Sequence, residues 1–187
     1  MNRNNLLLLT ALFIGVLYFS ACEKDPEVPQ EEELITTLTA VLTPVGGGTA
    51  VTLNFSDIDG DGGAAPVITG GTLAAGTTYT AAITLLNESE SPAEDITEEI
   101  EMEDDEHQFF FAVSSGLNVA IAYADQDADG NPVGLASTWV AGTAGSGNVT
   151  ITLRHEPNKN ATGVKDGDIT NAGGETDIEV TFPVTIQ

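Results

Sequence analysis

The sequence predicts an all-β fold, a single Ig-like antiparallel β-sandwich of about nine strands, on three observations. From Leu34 onward, short runs rich in Val, Ile, Thr and aromatic residues alternate apolar with polar positions, the period of a half-buried strand. Gly, Asp-Gly and Asn-Pro clusters separate these runs and read as turns. A chain of 187 residues that is 41% hydrophobic fits one domain with a packed core.

Residues 1–21 precede that domain and read as an export signal: Arg3 is the only charge, and an apolar stretch runs from Leu6 to Phe19. At 14 residues, this stretch is shorter than the roughly 20 needed to cross about 30 Å of hydrocarbon as a helix, so cleavage is expected rather than a permanent span. Phe19-Ser20-Ala21-Cys22 resembles a bacterial lipobox, which implies diacylglycerol on Cys22 and a membrane anchor made of lipid. Cys22 is the only cysteine, so no disulfide or thiolate metal site is expected in the domain. Residues 22–33 form an acidic, Pro-containing tether that begins Glu23-Lys24-Asp25-Pro26-Glu27 and ends in three glutamates, Glu31 to Glu33. A lysine among acidic residues behind the lipidated cysteine resembles the surface-export signal of Bacteroidota lipoproteins, which implies an outer-membrane, surface-exposed location.

The sandwich is expected over 34–187. Val51-Thr52-Leu53-Asn54-Phe55-Ser56 shows the pattern: Val51, Leu53 and Phe55 face one way, and Thr52, Asn54 and Ser56 the other. Strands are predicted near 35–43, 49–56, 66–73, 77–87, 107–115, 117–124, 134–141, 147–155 and 177–186. Ser91 to Glu106 is open to two readings. Ser91-Pro92-Ala93-Glu94 resembles a helix capping box with Pro at the first helical position, while Ile96, Ile100 and Met102 also fit an acidic strand. An ungapped offset of 68 residues pairs Leu53 with Ile121, Phe55 with Tyr123 and Ile83-Thr84-Leu85 with Ile151-Thr152-Leu153, which makes an internal duplication a candidate.

Charge excludes some partners. The formal charge is −24, and no Lys or Arg occurs between Lys24 and Arg154. Nucleic acid and anionic headgroups both require clustered basic side chains, so electrostatic partners are expected to be cationic. Asp57-Ile58-Asp59-Gly60-Asp61-Gly62 and Asp125-Gln126-Asp127-Ala128-Asp129-Gly130 both read D-x-D-x-D-G after a predicted strand. Alternate carboxylates in a tight loop suit a hard cation that takes six to eight oxygens, which makes Ca²⁺ the first candidate. They are not EF-hands, because position twelve is Ile68 in one and Ala136 in the other. The alternative is that Asp-Gly pairs only make turns and satisfy local backbone N–H groups.

The two histidines form a second constellation. His107 follows Glu106, and His155 precedes Glu156, each at the end of a predicted strand. Two imidazoles with Glu106 or Glu156 suit Zn²⁺ or Cu²⁺ if the fold joins the strand ends, but the preferred expectation is a pair of ordinary surface histidines in an acidic field. The acidic run from Glu94 to Glu106 otherwise reads as a solvated face. There is no G-x-S-x-G elbow, phosphate-binding loop or H-E-x-x-H, and no enzyme is expected.

The lipobox, the tether and a Thr- and Gly-rich domain ending Thr176-Asp177-Ile178-Glu179-Val180-Thr181-Phe182-Pro183 together resemble a small lipoprotein family of Bacteroidota. The resemblance extends to Asp95-Ile96-Thr97-Glu98-Glu99-Ile100, His107-Gln108-Phe109-Phe110-Phe111 and Arg154-His155-Glu156-Pro157-Asn158-Lys159. Members often carry the label type 1 periplasmic binding fold, an architecture of two α/β lobes. This chain is too short for two lobes and does not alternate strands with helices, so the all-β expectation stands beside the label. The resemblance implies no particular activity, and by analogy it implies partnership with a TonB-dependent outer-membrane transporter. The function expected is cation binding at the cell surface with a part in nutrient or metal capture. The alternative is a structural or adhesive module rigidified by calcium.

Overall fold

In the computed structural model, residues 33–60 and 62–187 are described. Cys22, the leader, most of the tether and Asp61 lie outside them. Among the described residues, eleven strands form two sheets, as expected for a β-sandwich.

The first sheet is centred on β1 (Thr37–Pro44) and β5 (Thr78–Asn87), which pair antiparallel. β2 (Val51–Ser56) and then β3 (Val67–Thr69) extend it beyond β1, while β9 (Ala136–Ala141) and β8 (Val119–Tyr123) extend it beyond β5. A two-residue strand, β6 (Glu94–Asp95), pairs with the end of β5. The second sheet runs β4 (Gly71–Leu73), β11 (Glu175–Ile186), β10 (Gly145–His155), β7 (His107–Val113). Every pairing is antiparallel except β4 with β11, which is parallel.

The period-two pattern sets which face is covered. Along β5, Tyr79, Ala81, Ile83 and Leu85 are buried while Thr80, Ala82 and Thr84 are exposed. Along β11, Ile178, Val180, Phe182, Val184 and Ile186 point the same way into the core. These meet Leu38, Leu42, Leu53, Trp139, Phe109, Ile151 and Leu153 in one cluster. Each large aliphatic or aromatic side chain so covered contributes about 1.5–3 kcal/mol. The polar ends of the buried aromatics are satisfied: the Tyr79 hydroxyl accepts from Ala74 N at 2.8 Å, and Trp139 Nε1 donates to Ser137 Oγ at 2.9 Å.

Three expectations are corrected. The strand predicted near 66–73 is two strands, because the chain leaves the first sheet after β3 and enters the second as β4. Gly70 lies at this crossing, where a Cβ would sit 2.0 Å from Pro183 O, so only glycine permits the close approach. Ser91 to Glu94 is not a capping box. The helix, α1, is Ile96–Met102, and its N-cap is Asp95, whose side chain accepts from Thr97 N at 3.0 Å. Ile96 and Ile100 share its buried face, and Thr97 Oγ1 accepts from Leu85 N and donates to Leu85 O, fastening α1 to β5. Finally, the 68-residue offset does not describe a structural repeat. β2 and β5 flank β1 in one sheet, whereas the strands that the offset matches to them, β8 and β10, lie in different sheets.

Candidate functional site

The site lies at the end of the β7–β10 ladder. His107 opens β7, His155 closes β10, and the two are register partners. Leu153 and Phe109 are the core-facing pair one pleat further in, so both imidazoles point to the core side, where apolar packing runs out. Their ring centroids are 4.5 Å apart and tilted by 43°.

Asp177 reaches the same place through an irregularity. Leu153 pairs with Ile178 but Arg154 pairs with Thr176, so Asp177 is the extra residue of a bulge in β11. A bulge redirects a side chain that regular alternation would place outside. The fourth member is Glu33, four residues ahead of Thr37, where the first strand begins. One ligand atom from each of Glu33, His107, His155 and Asp177 lies within 4.8 Å of all the others.

The distances give the electrostatics. His107 Nε2 lies 3.2 Å from Glu33 Oε1 and 3.9 Å from Asp177 Oδ2, and His155 Nδ1 lies 3.6 Å from Glu33 Oε2 and 3.9 Å from Asp177 Oδ1. Each carboxylate therefore faces both rings. His107 Nδ1–H donates to the Glu103 carbonyl at 3.1 Å, at the end of α1, so neutral His107 carries its lone pair on Nε2. Nε2 is fully buried and, despite its nearness to Glu33, makes no bond of hydrogen-bond geometry; Glu33 Oε2 makes none either. A lone pair facing two carboxylates is repulsive unless a cation lies between them, either a proton on the ring or a metal ion. A tetrahedron built on 2.0–2.2 Å bonds to N and O, as Zn²⁺ prefers, has edges of about 3.3–3.6 Å, so the four groups, with one ligand atom each within 4.8 Å of the others, would have to draw closer around such an ion. The Nδ1–H to carbonyl bond is the outer support that metal-bound histidines usually have.

Glu106 and Glu156, the carboxylates singled out beside the histidines in sequence, form a second group with His155, again within 4.8 Å. His155 Nε2 is 3.9 Å from Glu106 Oε2. Glu156 adopts φ 48°, uncommon for a residue with a side chain, and its N–H donates to the Glu106 carbonyl at 2.7 Å. Sequence reasoning missed Glu33, counted with the tether, and Asp177, which a regular strand would face outward. Neither carries a signal in sequence, because one depends on where the chain enters β1 and the other on the β10–β11 register.

Among the described residues, neither metal-competent group contains an aspartate of the D-x-D-x-D-G loops. In the second loop the carboxylates are used by donors. Asp125 accepts from Gly134 N and Ala136 N, both at 2.7 Å. Asp127 Oδ1 accepts from Asp129 N and Asn131 N, while Asp127 Oδ2 accepts from Asn131 Nδ2 and from the buried Lys159 ammonium, each at 3.1 Å. Lys159 also donates to the Asp104 carbonyl. Asp129 is exposed. In the second loop, Asp125 and Asp127 are thus engaged by backbone donors and by an ion pair with Lys159. The first loop differs: Asp59 Oδ2 accepts from Ala64 N at 2.8 Å, whereas Asp57 Oδ1 is buried without a hydrogen bond.

No protein-family model and no curated protein matches this chain. Among solved structures, the chain is similar to the crystal structure of the S-layer protein SbsC domains 4 and 5, at 15% identity and a TM-score of 0.29, over 74% of this chain. It spans 65% of the length of that structure. The fold and the site define a β-sandwich with a buried histidine–carboxylate centre at one end. Among the described residues, no helix is long and apolar enough to cross a membrane.

Proposed function

We propose that this chain is a lipid-anchored, surface-exposed, non-enzymatic lipoprotein that captures a transition-metal ion, Zn²⁺ or Cu²⁺, for an outer-membrane transporter. The metal centre in this reading is His107, His155, Glu33 and Asp177. The observation that carries it is His107: a buried imidazole, with its tautomer set by the Glu103 carbonyl and its Nε2 against two carboxylates without a hydrogen bond. Two nitrogens and two carboxylates match the preferences of Zn²⁺ and Cu²⁺, whereas Ca²⁺ and Mg²⁺ favour sets made wholly of oxygen.

Calorimetric titration of the full chain in detergent with Zn²⁺, paired with thermal melts, tests this. The expected result is one tightly held ion in the wild type and none in His107→Ala, with Asp177→Asn weakened. An ion at a hundred times its dissociation constant stabilises the folded state by about 2.7 kcal/mol. For a domain of this size, that is roughly 5–10 °C in Tm. Wild-type protein that takes up neither Zn²⁺ nor Cu²⁺ would overturn metal capture.

A second reading, that Ca²⁺ rigidifies a structural or adhesive module, is favoured at one place. Asp57 Oδ1, buried without a hydrogen bond, makes the first D-x-D-x-D-G loop the calcium candidate, through Asp57, Asp59 and Asp61.

A further inference from the structure

The two groups that share His155 differ in exposure. In the inner group, the side chains of His107, Asp177 and Glu33 are 0%, 1% and 7% exposed. His155 is 9% exposed, the outer group's Glu106 is 42%, and Glu156 lies on the surface. His155 spans this gradient, with Nδ1 on the Glu33 and Asp177 side and Nε2 on the Glu106 side. A neutral imidazole offers one lone pair, so His155 can ligate on one side at a time.

We infer that Glu106 and Glu156 form an outer station where an incoming metal ion is first held with His155 Nε2, before His155 Nδ1 takes it into the buried centre. The inference rests on the metal reading of that centre, where the buried Nε2 of His107 and Oε2 of Glu33 lack hydrogen bonds. In the transfer, one metal–nitrogen bond breaks at Nε2 and one forms at Nδ1. The ring releases a proton from Nδ1 to solvent through the adjoining carboxylates and takes one up at Nε2 from the water around Glu106. Its proton count is unchanged, and no oxidant or reductant is involved. The Glu156 N–H bond to the Glu106 carbonyl ties the two outer residues together. Exchange through carboxylates lowers the barrier in both directions without adding ligands to the final site.

The test is stopped-flow Zn²⁺ uptake by the full chain in detergent, with release measured by a chelator chase, in the wild type, the Glu106→Gln/Glu156→Gln double variant and His107→Ala. A station predicts that association and dissociation slow together in the double variant, each by about tenfold or more, within the range over which charged clefts alter rates. A fall in association alone would reduce Glu106 and Glu156 to long-range attraction. A rise in dissociation would make them positioning residues for His155. Either result overturns the inference while leaving the buried centre standing. His107→Ala separates the two readings, since equal Zn²⁺ binding by this variant and the wild type would remove the centre and the station with it.

Discussion

His107 and His155, which open one strand and close another, stack as a cross-strand pair with ring centroids 4.5 Å apart and both rings buried. Glu33 and Asp177 each face both rings, so the pair and the two carboxylates form one buried group. The β7–β10 register makes the site, because a slip of one residue would turn the histidines from the core face to opposite faces of the sheet.

The Asp127–Lys159 pair makes a prediction about acid stability. Burial alone would push the Asp127 carboxyl up, but hydrogen bonds from the Asn131 backbone and side chain and from Lys159, with the lysine's charge, outweigh it and hold the carboxyl below its usual range. A depressed folded-state pKa contributes stability above the unfolded value of about 4, and that stability is lost as pH falls through the lower folded value. Asp127→Asn should therefore be less stable at neutral pH, by about 3–5 kcal/mol, because Lys159 stays buried without its partner. Its stability should also fall less steeply below pH of about 4. Urea melts between acid and neutral pH check both points, and parallel curves for variant and wild type would refute the pairing.

Calcium should act through the first loop only. A Ca²⁺-dependent rise in Tm is expected in the wild type and in His107→Ala, and not in Asp57→Asn, whose carboxylate oxygen is the buried one without a bond. Saturating Ca²⁺ at a hundred times its dissociation constant corresponds to about 2.7 kcal/mol. If Ca²⁺ leaves the wild-type melt unmoved, the calcium reading of the first loop falls.

Gly174 couples backbone to site. Its φ is +71°, and a Cβ there would lie 2.1 Å from the His155 carbonyl. Gly174→Ala should destabilise the fold by about 1–3 kcal/mol and displace His155, weakening Zn²⁺ binding. Gly70→Ala is the comparison, with a Cβ 2.0 Å from Pro183 O where β3 gives way to β4. It should destabilise similarly in chemical denaturation while its Zn²⁺ affinity, read by calorimetry on the folded fraction, stays at the wild-type value. Equal loss of affinity in both variants would mean that Gly174 acts only through global stability.

Alternation of side chains is a local property, and it was enough to predict the sandwich and all nine strand regions, from Val51-Leu53-Phe55 in β2 to Ile178-Val180-Phe182 in β11. Ile96, Ile100 and Met102 left helix and strand open, and the structure chose a helix that starts from a local hydrogen bond to Asp95 rather than at Ser91. The histidines and their neighbours Glu106 and Glu156 could be singled out by residue type. Their meeting could not, since it depends on which strands pair. The tertiary structure alone decided that β7 lies beside β10, that a bulge redirects Asp177, that Glu33 joins the cluster, and that Lys159 fills the second Asp loop. Those are long-range choices of register and approach, made by the packing of two whole sheets, and no window of sequence contains both partners.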